Sequence, residues 1–313
     1  MNKSIKITSA NFFFMIFSLI FLLAQFVLGI SALLGYGKEF IDNIYLTVFI
    51  TEIVFILLPS LIFAIVNKLD VKYTFRLNKP RIKPLIIVAL ISVPAYMAAN
   101  MLNYIVIYLL QFIGNIPADN IPIPNTIPQL IQGILFISVL PAICEEVLNR
   151  GIMLRAYENR GTVKAIVITG IFFGIFHFDI TNFMGPAVLG ALLGYYAIRT
   201  NSIFAAMLGH FLNNTIAEIW SFVARNDSQT EIVKISSSEL LNVIIVGIVC
   251  TFIVWGLLKV FNNLTNDTAV LKPALTDVRG DTRTILTHYP VIVTLSIYVI
   301  IALIYLLMVI FSR

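Results

Sequence analysis

The feature that most restricts how this chain can fold is the recurrence of apolar runs about as long as a bilayer is thick. A helix crossing the hydrocarbon needs about 20 mostly apolar residues. Such runs are read at 8–34, 45–67, 85–113, 129–157, 163–181, 185–200, 202–224, 239–261 and 289–311. Hydrophobic residues make up 59% of the 313 and charged ones only 12%, where a soluble domain carries about 25% charged residues. A water-facing globule with this composition would lack the polar surface to cover itself. The expectation is an all-α polytopic transmembrane helix bundle of about eight or nine spans. The first run is too long for a signal-peptide core and is read as an uncleaved helix. Asn115–Pro128 holds Pro117, Pro122, Pro124 and Pro128 and is read as a loop, since proline lacks the N–H that a helix interior needs. The chain divides into N-terminal helices and loops over 1–128, a core over 129–224 and C-terminal helices over 225–313.

Charge tests the topology. With the N-terminus inside, all 21 Lys and Arg residues face inward except Lys38, Arg225, Lys234 and Arg313. That asymmetry is the positive-inside pattern, and it predicts nine spans with a cytoplasmic N-terminus. The basic stretch Lys68, Lys72, Arg76, Lys79, Arg81 and Lys83 is read as an orientation signal beside anionic lipid, not as a nucleic-acid surface. No nucleic-acid partner is expected. Cys144 and Cys250 both lie in apolar runs, so no disulfide framework is indicated.

Ionisable groups inside hydrocarbon are costly and point to function. The fourth run contains Pro141-Ala-Ile-Cys-Glu-Glu-Val-Leu-Asn-Arg-Gly151. Glu146 and Arg150 are i,i+4 neighbours on a helix, whereas Glu145 is rotated away by about 100°. One carboxylate is thereby held ionised by Arg and the other is left for proton chemistry, a division by which sites assign acid and base roles. A structural ion pair with a stray Glu is the plainer alternative, and the doublet argues against it. Downstream lie Phe173-Gly-Ile-Phe-His177 and His210-Phe-Leu-Asn-Asn214. Phe173 is placed to pack against the His177 ring, and His210 and Asn214 share a helix face. Runs four and five are read as an antiparallel hairpin turning near Asn159–Gly161. Glu145 and His177 then lie roughly 22–26 Å from the turn, at one level. His210 stands near the start of its run, so tilt or a recessed loop must bring it level. Gly170 with Gly174, and Gly190 with Gly194, are G-x-x-x-G pairs that let helix backbones approach. Pro141 frees the carbonyl of Ile137 and kinks the helix before Glu145.

Together these segments resemble the CAAX-protease and bacteriocin-processing family of glutamate-type intramembrane endopeptidases. That family shows E-E-x-x-x-R, F-x-x-x-H and H-x-x-x-N (or D) in this order. Here they are Glu145-Glu146 with Arg150, Phe173 with His177, and His210 with Asn214. The stretch before the last motif, Gly194-Tyr-Tyr-Ala-Ile-Arg-Thr-Asn-Ser202, is also similar, and the resemblance covers about residues 130–220. Asn149 stands where the family usually carries a bulky apolar residue. The resemblance implies that Glu145 and His177 activate a water for attack on a peptide carbonyl. It implies that His210 and Asn214 donate to the developing oxyanion, and that Glu146 with Arg150 fixes the helix and its field. No metal or other cofactor enters that scheme. The expected partners are the lipid bilayer and a membrane-associated peptide or protein, in bacteriocin, signalling-peptide or CAAX-type processing, or in self-immunity.

Three other readings stand beside this one. A zinc peptidase could assemble its ligands from these His and Glu residues, although the H-E-x-x-H helix is absent. A thiol enzyme could use Cys144 with His177, but Cys144 is better read as a small apolar filler. A transporter, or a non-catalytic immunity or scaffold protein, would also carry buried charges and prolines. The abundance of Ile, Asn and Lys hints at an AT-rich bacterial genome and hence at a bacterial cell membrane.

Overall fold

The computed structural model describes residues 5–35, 43–118, 122–224, 232–274 and 276–312. Helices form at every apolar run: α1 (Ile7–Leu33), α2 (Ile44–Val66), α3 (Ile82–Leu110), α4 (Ile127–Arg160), α5 (Thr162–Phe176), α6 (Met184–Thr200), α7 (Ile203–Ala224), α8 (Ser237–Leu264) and α9 (Tyr289–Phe311). Six of them, α1 to α4, α8 and α9, are each long and apolar enough to cross a membrane. Helices α5, α6 and α7 are shorter or more polar, and each carries a buried face. The protein is an all-helical integral membrane bundle. The fifth run ends sooner than hydropathy suggests. His177 caps α5 and Phe178 takes a positive φ of 49°, so 178–181 are not helical.

The hairpin between α4 and α5 turns where expected. A single 3₁₀ turn at Glu158–Arg160 leads into Gly161, whose φ is 113°, a conformation that favours glycine. Helices α5 and α6 then pack closely. A Cβ on Gly170 would lie 2.7 Å from the Ala187 carbonyl oxygen, one on Gly174 2.7 Å from that of Phe183, and one on Gly190 2.8 Å from Phe173 Cβ. Gly194 has ordinary clearance, so three of the four glycines are required by close approach. Helix α1 seals this pair with aromatic rings: Phe17 stacks on Phe176 at 5.2 Å, and Phe14 meets Phe172 at 5.1 Å.

Helices α2 and α4 lie side by side in the same direction. Residues 44–50 run beside 134–139, 51–57 beside 140–146, and 58–66 beside 147–153. Two spans of even number should be parallel if every run crosses the membrane once, so the packing agrees with the alternation read from charge. Both helices are widened locally. At 51–57, 134–139 and 147–153 the backbone bonds reach five residues back, as from Leu58 to Ile53 and from Leu140 to Leu135. Pro59 and Pro141 follow the first two of these stretches. Proline cannot bond the carbonyl four residues back, and the wider turn shifts the ladder by one residue.

One end of the bundle is closed by the loop between α2 and α3, and here the orientation-signal reading needs correction. Arg76 is buried in an ion pair with Glu158 and donates to the carbonyl of Arg150 at 3.3 Å. It anchors the loop under α4 and does not face lipid headgroups. Lys68, Lys72, Lys79, Arg81 and Lys83 remain exposed. The same loop recesses α7: the N–H of Ile203 donates to the Arg76 carbonyl, and Ser202 Oγ donates to that of Asn78. On the other side, Ile116–Pro117 pairs antiparallel with Ile232–Val233.

These placements choose the probe positions for topology. Cysteine at Arg76 would break a buried pair, and Asn120 lies outside the described residues, so the exposed Lys72 and Asn125 are preferred. Lys72→Cys and Asn125→Cys are expected to react with an impermeant maleimide from opposite faces of the membrane. Labelling from the same face would refute the nine-crossing topology.

Candidate active site

Three residues of α4 (Glu145, Glu146 and Arg150), His210 of α7 and Phe173 of α5 meet in the bundle interior. Glu146 is fully buried, and its Oε2 lies 3.0 Å from Nε of Arg150, which is buried too. The Arg150 guanidinium donates to the Gly190 carbonyl at 3.1 Å and sits over the Phe173 ring at 4.7 Å. Gly190 has to be glycine for this ring and carbonyl to come so close. An ion pair in an apolar interior is costly unless further contacts offset its desolvation. The Gly190 carbonyl, the Phe173 face and His210 supply such contacts, while Arg150 Nη1 has no hydrogen-bond partner among the described residues.

His210 bridges the carboxylates. Its Nδ1 lies 3.0 Å from Glu146 Oε1, and its Nε2 lies 4.0 Å from Glu145 Oε2. A carboxylate only accepts, so Nδ1 carries the proton and Nε2 faces Glu145. The recessed start of α7 brings His210 level, as anticipated. Asn214, one turn on, donates from Nδ2 to the Ile137 carbonyl at 3.1 Å. That is the oxygen freed by Pro141. Asn213 in turn donates to Asn214 Oδ1 at 3.2 Å, which fixes the Asn214 amide. An amide nitrogen has two hydrogens, and the second is left for another acceptor.

His177 stands at the end of α5, partly exposed. Its Nδ1 lies 2.8 Å from the Phe173 carbonyl, so Nδ1 is the protonated nitrogen and Nε2 holds a lone pair. The Phe173 ring meets His177 edge-on at 5.2 Å and His210 at 5.6 Å. No hydrogen bond or ion pair joins His177 to Glu145 among the described residues. Among the described residues the imidazole that pairs with Glu145 is His210.

The structure adds residues to this cluster. Asn149 donates to the Glu145 carbonyl at 2.9 Å, where the wide turn at 147–153 leaves the ladder. That gives a local reason for Asn at this position. Glu52 of α2 is 5% exposed and lies in the 51–57 stretch that packs on 140–146. Glu218 on α7 is also buried and faces Gly133. Cys144 is buried and free. Among the described residues, no group of three or more His, Cys, Asp or Glu is arranged to hold a metal ion.

The class of protein defined here is a membrane helix bundle with a buried Glu–Arg–His cluster in its interior. Within it, residues 127–216 match the family described as Rce1-like, type II CAAX prenyl endopeptidase Rce1-like. The matched segment holds Glu145, Glu146, Arg150, Phe173, His177, His210 and Asn214, and it bears out the resemblance drawn from those motifs. The segment is similar to this family of CAAX endopeptidases, and that family implies protease activity. Neither the curated proteins nor the solved structures gave a match to the chain.

Proposed function

We propose that this protein is an intramembrane endopeptidase that hydrolyses a membrane-associated peptide or protein with a water activated by Glu145 and His177. The observation that supports this most is the unequal pairing of the glutamates. Glu146 lies 3.0 Å from both Arg150 and His210, while the ionic partner of Glu145 among the described residues is His210 at 4.0 Å. The first is committed to structure and the second is available for a proton. In this reading Glu145 and the Nε2 lone pair of His177 take the proton of an attacking water and return it to the leaving amine. His210 and the second N–H of Asn214 then donate to the oxyanion. For His210 to donate from Nε2 its ring must be doubly protonated, and the two flanking carboxylates compensate that charge. The substrate class spans bacteriocin, signalling-peptide and CAAX-type precursors, the last being what the name of the matched family carries.

Roles separate the histidines. Losing one oxyanion donor costs about 2.7–4 kcal/mol, or roughly 10²–10³ in turnover. His210→Ala and Asn214→Ala are therefore expected to be slow yet measurable, with KM little changed in the Asn214 variant. If Asn214→Ala weakens binding and leaves turnover intact, Asn214 positions substrate instead. Every proposed role is a proton transfer or a hydrogen bond, so turnover is expected to survive metal stripping. Restoration of a dead, stripped enzyme by stoichiometric zinc would reassign these residues as ligands.

A further inference from the structure

Helix α2 lies outside the matched segment 127–216, yet it brings a carboxylate to the site. Glu52 is buried within an otherwise apolar helix that is long enough to cross a membrane. A carboxyl group in such a place is costly unless something uses it. Its Oε2 has no hydrogen-bond partner, and no Lys, Arg or His forms an ion pair with it among the described residues. On the stretch that α2 packs against, Glu145 Oε2 likewise has no hydrogen-bond partner. The 51–57 stretch that carries Glu52 packs directly on 140–146, and both stretches adjoin a widened turn closed by a proline. Widened helical turns occur often at functional sites. Near Glu145 are thus Glu146 and Arg150 on its own helix and His210 on α7, with Glu52 on the stretch of α2 that packs against it.

Arg150 is committed to Glu146, and His210 is shared between Glu145 and Glu146. That leaves two buried carboxyl groups, on helical stretches packed together, with too little positive charge for both to ionise in a low-dielectric interior. We propose that Glu52 is a positioning residue for the reaction, holding one proton in common with Glu145 so that Glu145 meets the water as a carboxylate while Glu52 stays neutral. The proton count closes over a turnover. Glu145 gains a proton from the water and gives it to the leaving amine, and the shared proton remains on the pair. This rests on the peptidase reading above. A group kept for this purpose should oppose stability: replacing an unpaired buried carboxyl by an apolar or neutral isostere is often neutral or stabilising.

The test is to purify Glu52→Gln, Glu52→Leu and Glu52→Asp into nanodiscs with the wild type and Glu145→Gln. For each, kcat, KM and the melting temperature are measured on one cleavable peptide. Glu52→Gln and Glu52→Leu are expected to lose about 10–10² in kcat, with KM within about twofold and a melting temperature no lower than wild type. Glu52→Asp is expected to regain part of that loss. Wild-type kcat in either Gln or Leu overturns the proposal. So does a kcat loss that tracks a lowered melting temperature in both, since that marks a packing residue. Glu145→Gln separates the two layers: if it turns over like wild type, the peptidase reading itself fails, whatever Glu52 shows.

Discussion

Glu145→Gln and His177→Ala are each expected to lower turnover by about 10⁴, because each removes part of one acid–base unit. Within such a unit a second loss adds little. The double variant is therefore expected to be scarcely worse than either single one, and all three should remain folded in the membrane. Glu145 can lose its charge without disturbing the neighbouring pair, since the contacts of Arg150 go to Glu146, Gly190 and Phe173. His177 is bound only through Nδ1 to its own helix. Turnover of a fluorogenic peptide, scored beside size-exclusion behaviour, checks both points. Near-wild-type turnover of either variant removes that residue from the reaction. Cys144→Ser is expected to keep full activity, and its loss would revive the thiol mechanism.

The second large effect falls on stability. Arg150→Ala is expected to cost about 3–5 kcal/mol, the usual penalty for leaving a buried partner charge uncompensated. The charge left behind is Glu146, fully buried between α4 and α7. The same substitution abandons the Gly190 carbonyl and the face of Phe173. Arg150→Lys keeps the charge but not the planar fork, and recovers only part of the loss. Glu146→Gln combined with Arg150→Met removes both charges together and should be far more stable than Arg150→Ala alone. Melting in detergent, followed by monodispersity, measures this. A melting temperature for Arg150→Ala equal to wild type would show that the pair carries no structural burden.

Much of this architecture was legible in residue order, for reasons particular to a membrane chain. Each helix must satisfy its own backbone in lipid, so apolar length alone located α1 to α9. Gly161 marked the hairpin turn because its conformation leaves little choice of residue. The Glu146–Arg150 pair and the Phe173–His177 contact were legible because i and i+4 lie on one face. What residue order did not reveal are meetings between helices. Arg76 was counted with the surface bases, yet it is buried against Glu158, 82 residues away. His210 could be placed in the bundle by its motif, but not on both glutamates at once. Glu52 and Glu218 broke the rule against charge in hydrocarbon just as Glu145 did. They lie outside the three motifs, and only the packing of α2 on α4 brings Glu52 to the site. The end of α5 was overrun because hydropathy does not register the change of backbone conformation at Phe178.

The central claim is that this bundle cuts peptides rather than carrying or merely binding them, and one comparison addresses it directly. The small peptides and new protein termini of cells bearing the wild-type chain are compared by mass spectrometry with those of cells bearing only Glu145→Gln at matched membrane abundance. The account predicts at least one membrane-associated precursor that accumulates uncut in the Glu145→Gln cells, together with loss of its product termini. If deleting the gene alters the cells while Glu145→Gln leaves every terminus and every phenotype at wild type, the protein acts without proteolysis and the account is wrong.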